Sequence, residues 1–231
     1  MQKAVFLDKD GTLIDDIPYN VNPALITWKA GCFEALRKLE QAGYLLIIAT
    51  NQSGMARGYF DEKDMDALIS SMTQTLKEQD IRLGGFYYSP YLKEGKIKKY
   101  AIESDYRKPG AGMLLKASVD LNIDLSSSWM VGDVWKDVVA GNRAGCRTVL
   151  IHEPGAPEET TDDIPAYLLE EQPGLPGNMG HPLNVGTTPL PGAGQTTSAQ
   201  ADALRTPTFT VSCILKAADR ILRTDTRLPN G

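Results

Sequence analysis

Short apolar runs, each followed by a polar cluster, recur along this chain with helical patterns between them. Runs typical of buried strands occupy residues 3–7, 44–49, 85–88, 129–131 and 148–151. Strands that alternate with helices indicate βαβ units, whose strands run parallel within one sheet. The pattern therefore predicts an α/β fold with a mostly parallel sheet.

Helix signals fill the intervals between these runs. Apolar residues recur at helical spacing between Gly31 and Gly43, and Gly43 suits a helix end. Asp61 is a typical N-cap residue and precedes a second amphipathic pattern. Further helical patterns lie near residues 110–121 and 136–144. Each helix is thus placed between two predicted strands, as a parallel sheet requires.

Composition and charge narrow the class of protein. The formal net charge is -5 and the pI is about 5.1, so the chain gains little from counterion release and no nucleic-acid partner is expected. No run approaches the roughly 18 apolar residues of a membrane helix. The first strand begins at once, which leaves no room for a signal peptide, and the three cysteines are far apart. We expect a cytoplasmic protein with no membrane partner and leave its oligomeric state open.

The composition changes after His152. Residues 172–198 include no charged side chain, and Pro plus Gly make up 11 of these 27 positions. Such a composition is typical of an irregular segment without a packed core. Strand-like and helical patterns return from residue 208 onward. We therefore predict a single domain over residues 1–231, with a Pro/Gly-rich insertion at about 157–207 before the last strand and helix.

Polar side chains stand where the predicted strands end. Asp8 and Asp10 follow the first strand, Thr50 and Asn51 follow the second, and Asp133 follows a later one. Ligands of open parallel sheets bind at the carboxyl ends of the strands. These clusters, although distant in sequence, are therefore expected to converge on one edge of the sheet.

The residue types at that edge suit phosphoryl transfer, which needs a nucleophile, a proton donor and positive charge on the phosphoryl oxygens. Asp8 and Asp10 are two residues apart, so their side chains can project the same way. Two adjacent carboxylates are costly unless a cation lies between them. Mg²⁺ prefers hard oxygen ligands, and Asp133 is the natural third carboxylate. The sequence predicts a magnesium site there.

Other side chains at the same edge are suited to hold phosphate oxygens. Thr50 offers a hydroxyl, and Asn51 and Ser53 offer further hydrogen-bond donors. Lys108 adds a point charge just before a predicted helix. Each cluster alone also fits an ordinary turn or helix cap. Their order, each after a predicted strand, favours a phosphate site.

With these residues the chain resembles the haloacid dehalogenase (HAD) superfamily of phosphatases. The motifs of that family correspond here to residues 8–12, Thr50, Lys108, and Gly132-Asp133 with Asp137 following. The likeness covers roughly residues 3–152 and resumes near residue 208. It implies a HAD-like, Rossmann-like three-layer sandwich with a minimal cap.

The resemblance also implies a role for each matching residue. Asp8 would be the nucleophile and a Mg²⁺ ligand. Asp10 would be the general acid and then the general base, and its backbone carbonyl would bind the metal. Asp133 would complete the metal site. Thr50 and Lys108 would bind the transferring phosphoryl group. The residues implied to contact the rest of the substrate are Asp16, Tyr19, Asn51, Ser53, Arg57 and Arg107.

Three readings of the function remain open, and so do the roles of two residues. Residues 50–60 resemble the branch that acts on heptose bisphosphate, which makes a sugar phosphate the leading small-metabolite substrate. Another metabolite such as histidinol phosphate, or a nucleic-acid 3′-phosphate end, is the second reading, and a non-catalytic phosphate-binding module is the third. Arg57 equally fits a surface arginine, and Asp137 is expected to orient Lys108 or the metal shell.

One segment departs from the pattern that this branch implies. Relatives usually carry a zinc loop with three cysteines and a histidine, where this chain has Ser89, Tyr91, Ser104 and Tyr106. Hydroxyls with high pKa values are poor ligands for a tetrahedral zinc ion. We expect magnesium and no structural zinc. The lysine-rich stretch 93–99 between these positions is either solvated or attracts an anionic substrate.

Overall fold

A computed structural model describes residues 1–155 and 198–225 of the 231-residue chain. Within these ranges six parallel strands form one sheet in the order β3-β2-β1-β4-β5-β6. The strands are β1 (Ala4–Leu7), β2 (Leu45–Asn51), β3 (Leu83–Ser89), β4 (Trp129–Gly132), β5 (Arg147–Ile151) and β6 (Phe209–Val211). The prediction of an α/β fold with a parallel sheet is confirmed.

Helices connect the strands. They are α1 (Cys32–Gln41), α2 (Gly54–Arg57), α3 (Glu62–Glu78), α4 (Gly112–Leu121), α5 (Trp135–Ala144), α6 (Ser198–Arg205) and α7 (Ile214–Asp225). Short 3₁₀ turns cover Pro23–Leu25 and Leu125–Ser127. The predicted N-cap Asp61 accepts hydrogen bonds from the backbone N–H groups of Lys63 and Asp64 at the start of α3.

Both faces of the sheet are buried, as expected for parallel strands. Alternate residues of β1 divide between two cores: Val5 and Leu7 pack with α1, α3 and α7, whereas Ala4 and Phe6 pack with α4. All four side chains are essentially inaccessible to water. The result is the predicted three-layer sandwich, and it brings the ends of β1, β2 and β4 side by side.

Most strand boundaries shift by one or two residues from the sequence prediction, and two differences matter for the site and for the insertion. β2 continues through Thr50 to Asn51 because both residues remain paired with β3, so Thr50 lies within the strand. Helix α6 occupies Ser198–Arg205, inside the span predicted as an insertion at 157–207. Residues 156–197, which carry most of that prediction, lie outside the described residues.

After that span the chain returns to the same sheet. β6 pairs with β5, and α7 packs against α1 through its buried residues Ile214, Ala217, Ala218 and Ile221. The described residues include no helix that is both long enough and apolar enough to cross a bilayer.

Replacement of Ile221 by alanine tests whether α7 belongs to the core. Ile221 is fully buried, so Ile221→Ala is expected to lower the free energy of unfolding by about 2–5 kcal/mol. Val119 on α4 is 64% exposed, so the control Val119→Ala should change the free energy of unfolding by less than about 0.5 kcal/mol. Chemical denaturation of both variants checks this. Equal, small effects would contradict the packing of α7.

Candidate active site

The polar clusters converge on the carboxyl ends of β1, β2 and β4. They line a cavity of about 330 Å³. Nine of the predicted site residues line it: Asp8, Asp10, Asp16, Tyr19, Thr50, Asn51, Ser53, Lys108 and Asp133. The cavity is also lined by three residues that carried no prediction from the sequence, Asn20, Gln52 and Lys136. Arg57 and Arg107 lie beside the cavity rather than in its wall.

A buried lysine lies at the centre of this site. The Lys108 ammonium is 2.5 Å from Asp8 Oδ1 and 2.6 Å from Asp137 Oδ1, and it donates a 2.8 Å hydrogen bond to the Ala49 carbonyl. Burial alone would lower the pKa of Lys108, but the Asp137 and Asp8 carboxylates outweigh it and raise that pKa. Lys108 is therefore a fixed positive charge beside Asp8.

Asn51 holds the backbone of Lys108. Its Nδ2 donates to the Lys108 carbonyl at 2.9 Å, and its Oδ1 accepts from the Lys108 N–H at 3.0 Å. Both polar groups of this side chain are thus engaged by the protein. The geometry thus gives Asn51 a positioning contact to Lys108, and the predicted contact of Asn51 with substrate stays a prediction.

Three carboxylates meet next to Lys108. Oxygens of Asp8, Asp133 and Asp137 lie within 4.8 Å of one another, and Thr12 Oγ1 donates to Asp133 at 2.9 Å. Burial and the Asp8 and Asp137 charges raise the pKa of Asp133 to about 8. Burial, together with Asp8 and against the opposing effect of Lys108, raises the pKa of Asp137 to about 7. The negative charge of this cluster exceeds the one ammonium beside it.

These oxygen donors fit a hard divalent cation. A cation between Asp8 and Asp133 would remove the repulsion that raises the carboxyl pKa values. The turn at Gly11 allows the close packing this needs, because a Cβ there would stand 2.0 Å from Asp133 Oδ2 and its φ is +76°. The site is therefore compatible with the predicted magnesium.

The carboxyl group of Asp10 is held from two sides. Lys9 contacts Oδ1, and Gln52 Nε2 donates to Oδ2 at 3.2 Å and to Thr50 Oγ1 at 3.0 Å. Burial raises the pKa of Asp10, and the neighbouring Lys9 charge opposes that rise. Neither Lys9 nor Gln52 was given a role from the sequence. Lys9 lies inside the motif at residues 8–12, and Gln52 lies two residues after Thr50 in the stretch 50–60.

Aromatic and basic side chains surround the mouth of the cavity. The Tyr19 ring lies edge-on to Tyr59 at 4.9 Å, and the Arg57 guanidinium lies 5.7 Å from the Tyr19 ring centre. Arg107 donates to the Tyr91 carbonyl at 3.4 Å. Burial and the nearby Arg57 charge lower the pKa of Arg107. Two guanidinium groups therefore lie close together at one side of the entrance.

The segment that follows β3 is held to α3 by side chains. Glu62 contacts both the Lys99 ammonium and the Tyr100 hydroxyl, and the Tyr100 and Tyr91 rings are 6.4 Å apart. The Ile97 N–H donates to the Ala56 carbonyl at 2.9 Å. Lys99, in the lysine-rich stretch, is thus engaged in an ion pair. The segment lies against α2, next to Arg57.

The fold and the residues at this sheet edge fit the HAD-like hydrolases, and comparison with known proteins supports that class. A family model described as HAD-hydrolase-like matches residues 105–170. The chain is 42% identical over 177 residues to the D-glycero-beta-D-manno-heptose-1,7-bisphosphate 7-phosphatase of Pasteurella multocida, covering 76% of this chain and 96% of the relative. The protein so named from Haemophilus influenzae matches with the same figures.

A solved structure agrees with these sequence matches. The D,D-heptose 1,7-bisphosphate phosphatase of B. bronchiseptica, in complex with magnesium and phosphate, is 29% identical with a TM-score of 0.57. The match covers 65% of this chain and 80% of that one. The chain belongs to the HAD-like phosphatase family that these relatives represent.

Thermal unfolding with and without magnesium tests the acidic cluster. Magnesium at about 100 times its Kd stabilises a folded protein by about 2.7 kcal/mol, which here corresponds to a rise in Tm of about 5–10 °C. Asp133→Asn should abolish that rise. Without the metal, the same variant should unfold at an equal or higher temperature, because it removes a carboxylate whose pKa is raised.

The matched control for this experiment is Asp66→Asn, which changes an exposed carboxylate on α3 and should keep the full magnesium effect. A magnesium-dependent rise in Tm that survives in Asp133→Asn would contradict the assignment of the site.

Proposed function

We propose that this protein is a magnesium-dependent phosphatase that hydrolyses a sugar phosphate resembling D-glycero-D-manno-heptose 1,7-bisphosphate. The observation that carries the proposal is the Asp8 carboxylate, which is held 2.5 Å from the Lys108 ammonium in a cavity that also contains Asp10 and Thr50. The names of the relatives support the substrate class.

In this proposal an Asp8 oxygen attacks the phosphorus atom, forming an aspartyl phosphate as the bond to the sugar oxygen breaks. Asp10 donates a proton to the departing sugar oxygen. It then takes a proton from the water that attacks the aspartyl phosphate, which releases inorganic phosphate and restores Asp8. Asp10 follows Asp8 by two residues and lines the same cavity, so both groups reach one phosphoryl group.

The negative charge of the phosphoryl oxygens is balanced by Lys108, with the Thr50 hydroxyl as a further donor. Asp137 keeps the ammonium in place through its 2.6 Å contact. Asp8, the Asp10 carbonyl and Asp133 would hold magnesium, which supplies additional positive charge to the phosphoryl group when bound.

Arg57 and Arg107 are proposed to bind the part of the substrate that is not transferred. Within residues 1–155 and 198–225 neither guanidinium has an ion-pair partner, and Arg57 Nε is buried without a hydrogen bond. Two adjacent cations are costly unless an anion lies between them. A second phosphate on the sugar would supply that anion, while Asp16, Tyr19 and Ser53 face the sugar hydroxyls.

The segment after β3 is proposed to hold its shape without zinc. Contacts between Glu62, Lys99 and Tyr100 fix it to α3, and Tyr91 packs against Tyr100. Elemental analysis of protein purified without chelator is expected to find less than stoichiometric zinc. One tightly bound zinc ion per chain would contradict this part of the proposal.

A cytoplasmic location is proposed on chemical grounds. Among the described residues Cys32, Cys146 and Cys213 are all free thiols, which suits a reducing compartment. The proposed substrate agrees with this location, because the charge of its phosphate groups keeps a phosphorylated sugar in the cytoplasm.

Replacement of the nucleophile tests the chemistry directly. Asp8→Asn keeps the shape of the side chain but removes the attacking carboxylate, so kcat should fall about 10⁴-fold or more. Asp66→Asn on α3 is the control and should keep wild-type turnover. Steady-state kinetics with magnesium checks both variants. More than a tenth of wild-type turnover in Asp8→Asn would contradict covalent catalysis.

Replacement of Arg107 tests the substrate class. Loss of a charge-assisted contact costs about 1.5–3 kcal/mol, so Arg107→Met should lower kcat/KM about 10- to 150-fold for a sugar bisphosphate. The loss should be much smaller for the corresponding monophosphate. Arg82→Met, at a side chain that is 93% exposed, is the control. Equal losses with both substrates, or a wild-type preference for histidinol phosphate, would contradict the bisphosphate proposal.

A further inference from the structure

Lys9 lies between the two catalytic aspartates in sequence, yet its side chain is not exposed to the cavity. The residue is 0% accessible to water, which is rare for a lysine unless its charge is paired. In the part of the chain that the structure describes, the ion-pair partner of its ammonium is Asp10. The Lys9 carbonyl accepts hydrogen bonds from the backbone of Leu13 and Ile14 at 3.0 and 3.1 Å, so the lysine itself is fixed.

The second oxygen of Asp10 has a different partner. Gln52 Nε2 donates to Oδ2 at 3.2 Å, while Lys9 contacts Oδ1. Gln52 is itself buried and is anchored by its 3.0 Å contact to Thr50 Oγ1. The two oxygens of Asp10 are therefore held from the β1 side and from the β2 side. A carboxyl group with both oxygens held has one orientation.

Lys9 and Gln52 hold the Asp10 carboxyl group in surroundings that otherwise oppose its negative charge. The negative charges of Asp8 and Asp16 lie close enough to act on Asp10, and both disfavour a carboxylate there. A general acid must lie within hydrogen-bond reach of the oxygen that it protonates, and a displacement of about 1 Å can cost about 100-fold in rate. A side chain that opposes this repulsion can therefore affect the chemical step without touching the substrate.

We propose that Lys9 and Gln52 are positioning residues that orient the Asp10 carboxyl group toward the leaving-group oxygen. The inference rests on the proposed phosphatase function, because it concerns the residue that protonates the departing alcohol. Neither side chain is required to contact the substrate or the metal. In the part of the chain that the structure describes, the Lys9 ammonium pairs with Asp10, so the effect of removing it should be confined to the step in which Asp10 transfers a proton.

The test compares two phosphate esters that differ in their need for a general acid. An alkyl phosphate releases a poor alkoxide leaving group, whereas p-nitrophenyl phosphate releases a phenolate that needs little protonation. The parameter kcat/KM includes only steps up to phosphoryl transfer and excludes the later hydrolysis. Lys9→Met keeps the length of the side chain and removes its charge.

Lys9→Met is expected to lower kcat/KM about 100-fold for the alkyl ester and less than about 5-fold for the p-nitrophenyl ester. Lys9→Arg should recover most of the activity with the alkyl ester. Gln52→Met should also lower kcat/KM more for the alkyl ester than for the p-nitrophenyl ester, although the lost contact to Thr50 adds a smaller loss common to both esters. This variant carries the test if Lys9→Met does not fold. The control Lys3→Met removes an ion pair with Asp225 at the other end of β1 and should behave as wild type.

A double-mutant cycle distinguishes positioning from a structural role. In an Asp10→Asn background, Lys9→Met should cause no further loss, because the group that it orients is already gone. Equal losses with both esters, or a full additional loss in the Asp10→Asn background, would overturn the inference while leaving the phosphatase function intact. A wild-type protein inactive toward both esters would overturn the phosphatase function together with this inference.

Discussion

The buried ammonium of Lys108 is the interaction on which the rest of the site depends. It joins Asp8 at the end of β1, Asp137 in α5 and the Ala49 carbonyl in β2. A lysine buried among apolar layers is stable only when such partners compensate its charge. Asn51 fixes the backbone from which the lysine extends. The geometry of the nucleophile is therefore built into the core of the sheet.

The same arrangement explains why the site attracts a cation and a phosphate together. Asp8, Asp133 and Asp137 place three carboxylates around one ammonium, and the resulting repulsion raises the pKa of Asp133 and Asp137. A metal ion would restore the balance of charge, and with Lys108 it would give the site the positive potential that a phosphoryl group requires.

The sequence predicted the strands and the convergence of Asp8, Thr50 and Asp133, because parallel topology fixes which strand ends meet. It could not predict the partners of side chains within that edge. The hydrogen bonds between Asn51 and the backbone of Lys108 were not predicted, and Lys9 was given no role although it pairs with Asp10. Such pairings depend on rotamers set by tertiary packing, for which sequence spacing carries no signal. For residues 156–197 the sequence prediction has no counterpart among the described residues.

Detection of a phosphoryl group on Asp8 tests the central claim most directly. Asp10→Asn protein, whose aspartyl phosphate should be hydrolysed slowly, is mixed with magnesium and p-nitrophenyl phosphate, quenched in acid, digested and analysed by mass spectrometry. The expected result is one phosphoryl group on the peptide that contains Asp8, at the Asp8 side chain, and none when Asp8→Asn is added to the variant. Product release without any phosphorylated peptide, or a phosphoryl group on a different residue, would contradict the assignment of Asp8 as the nucleophile.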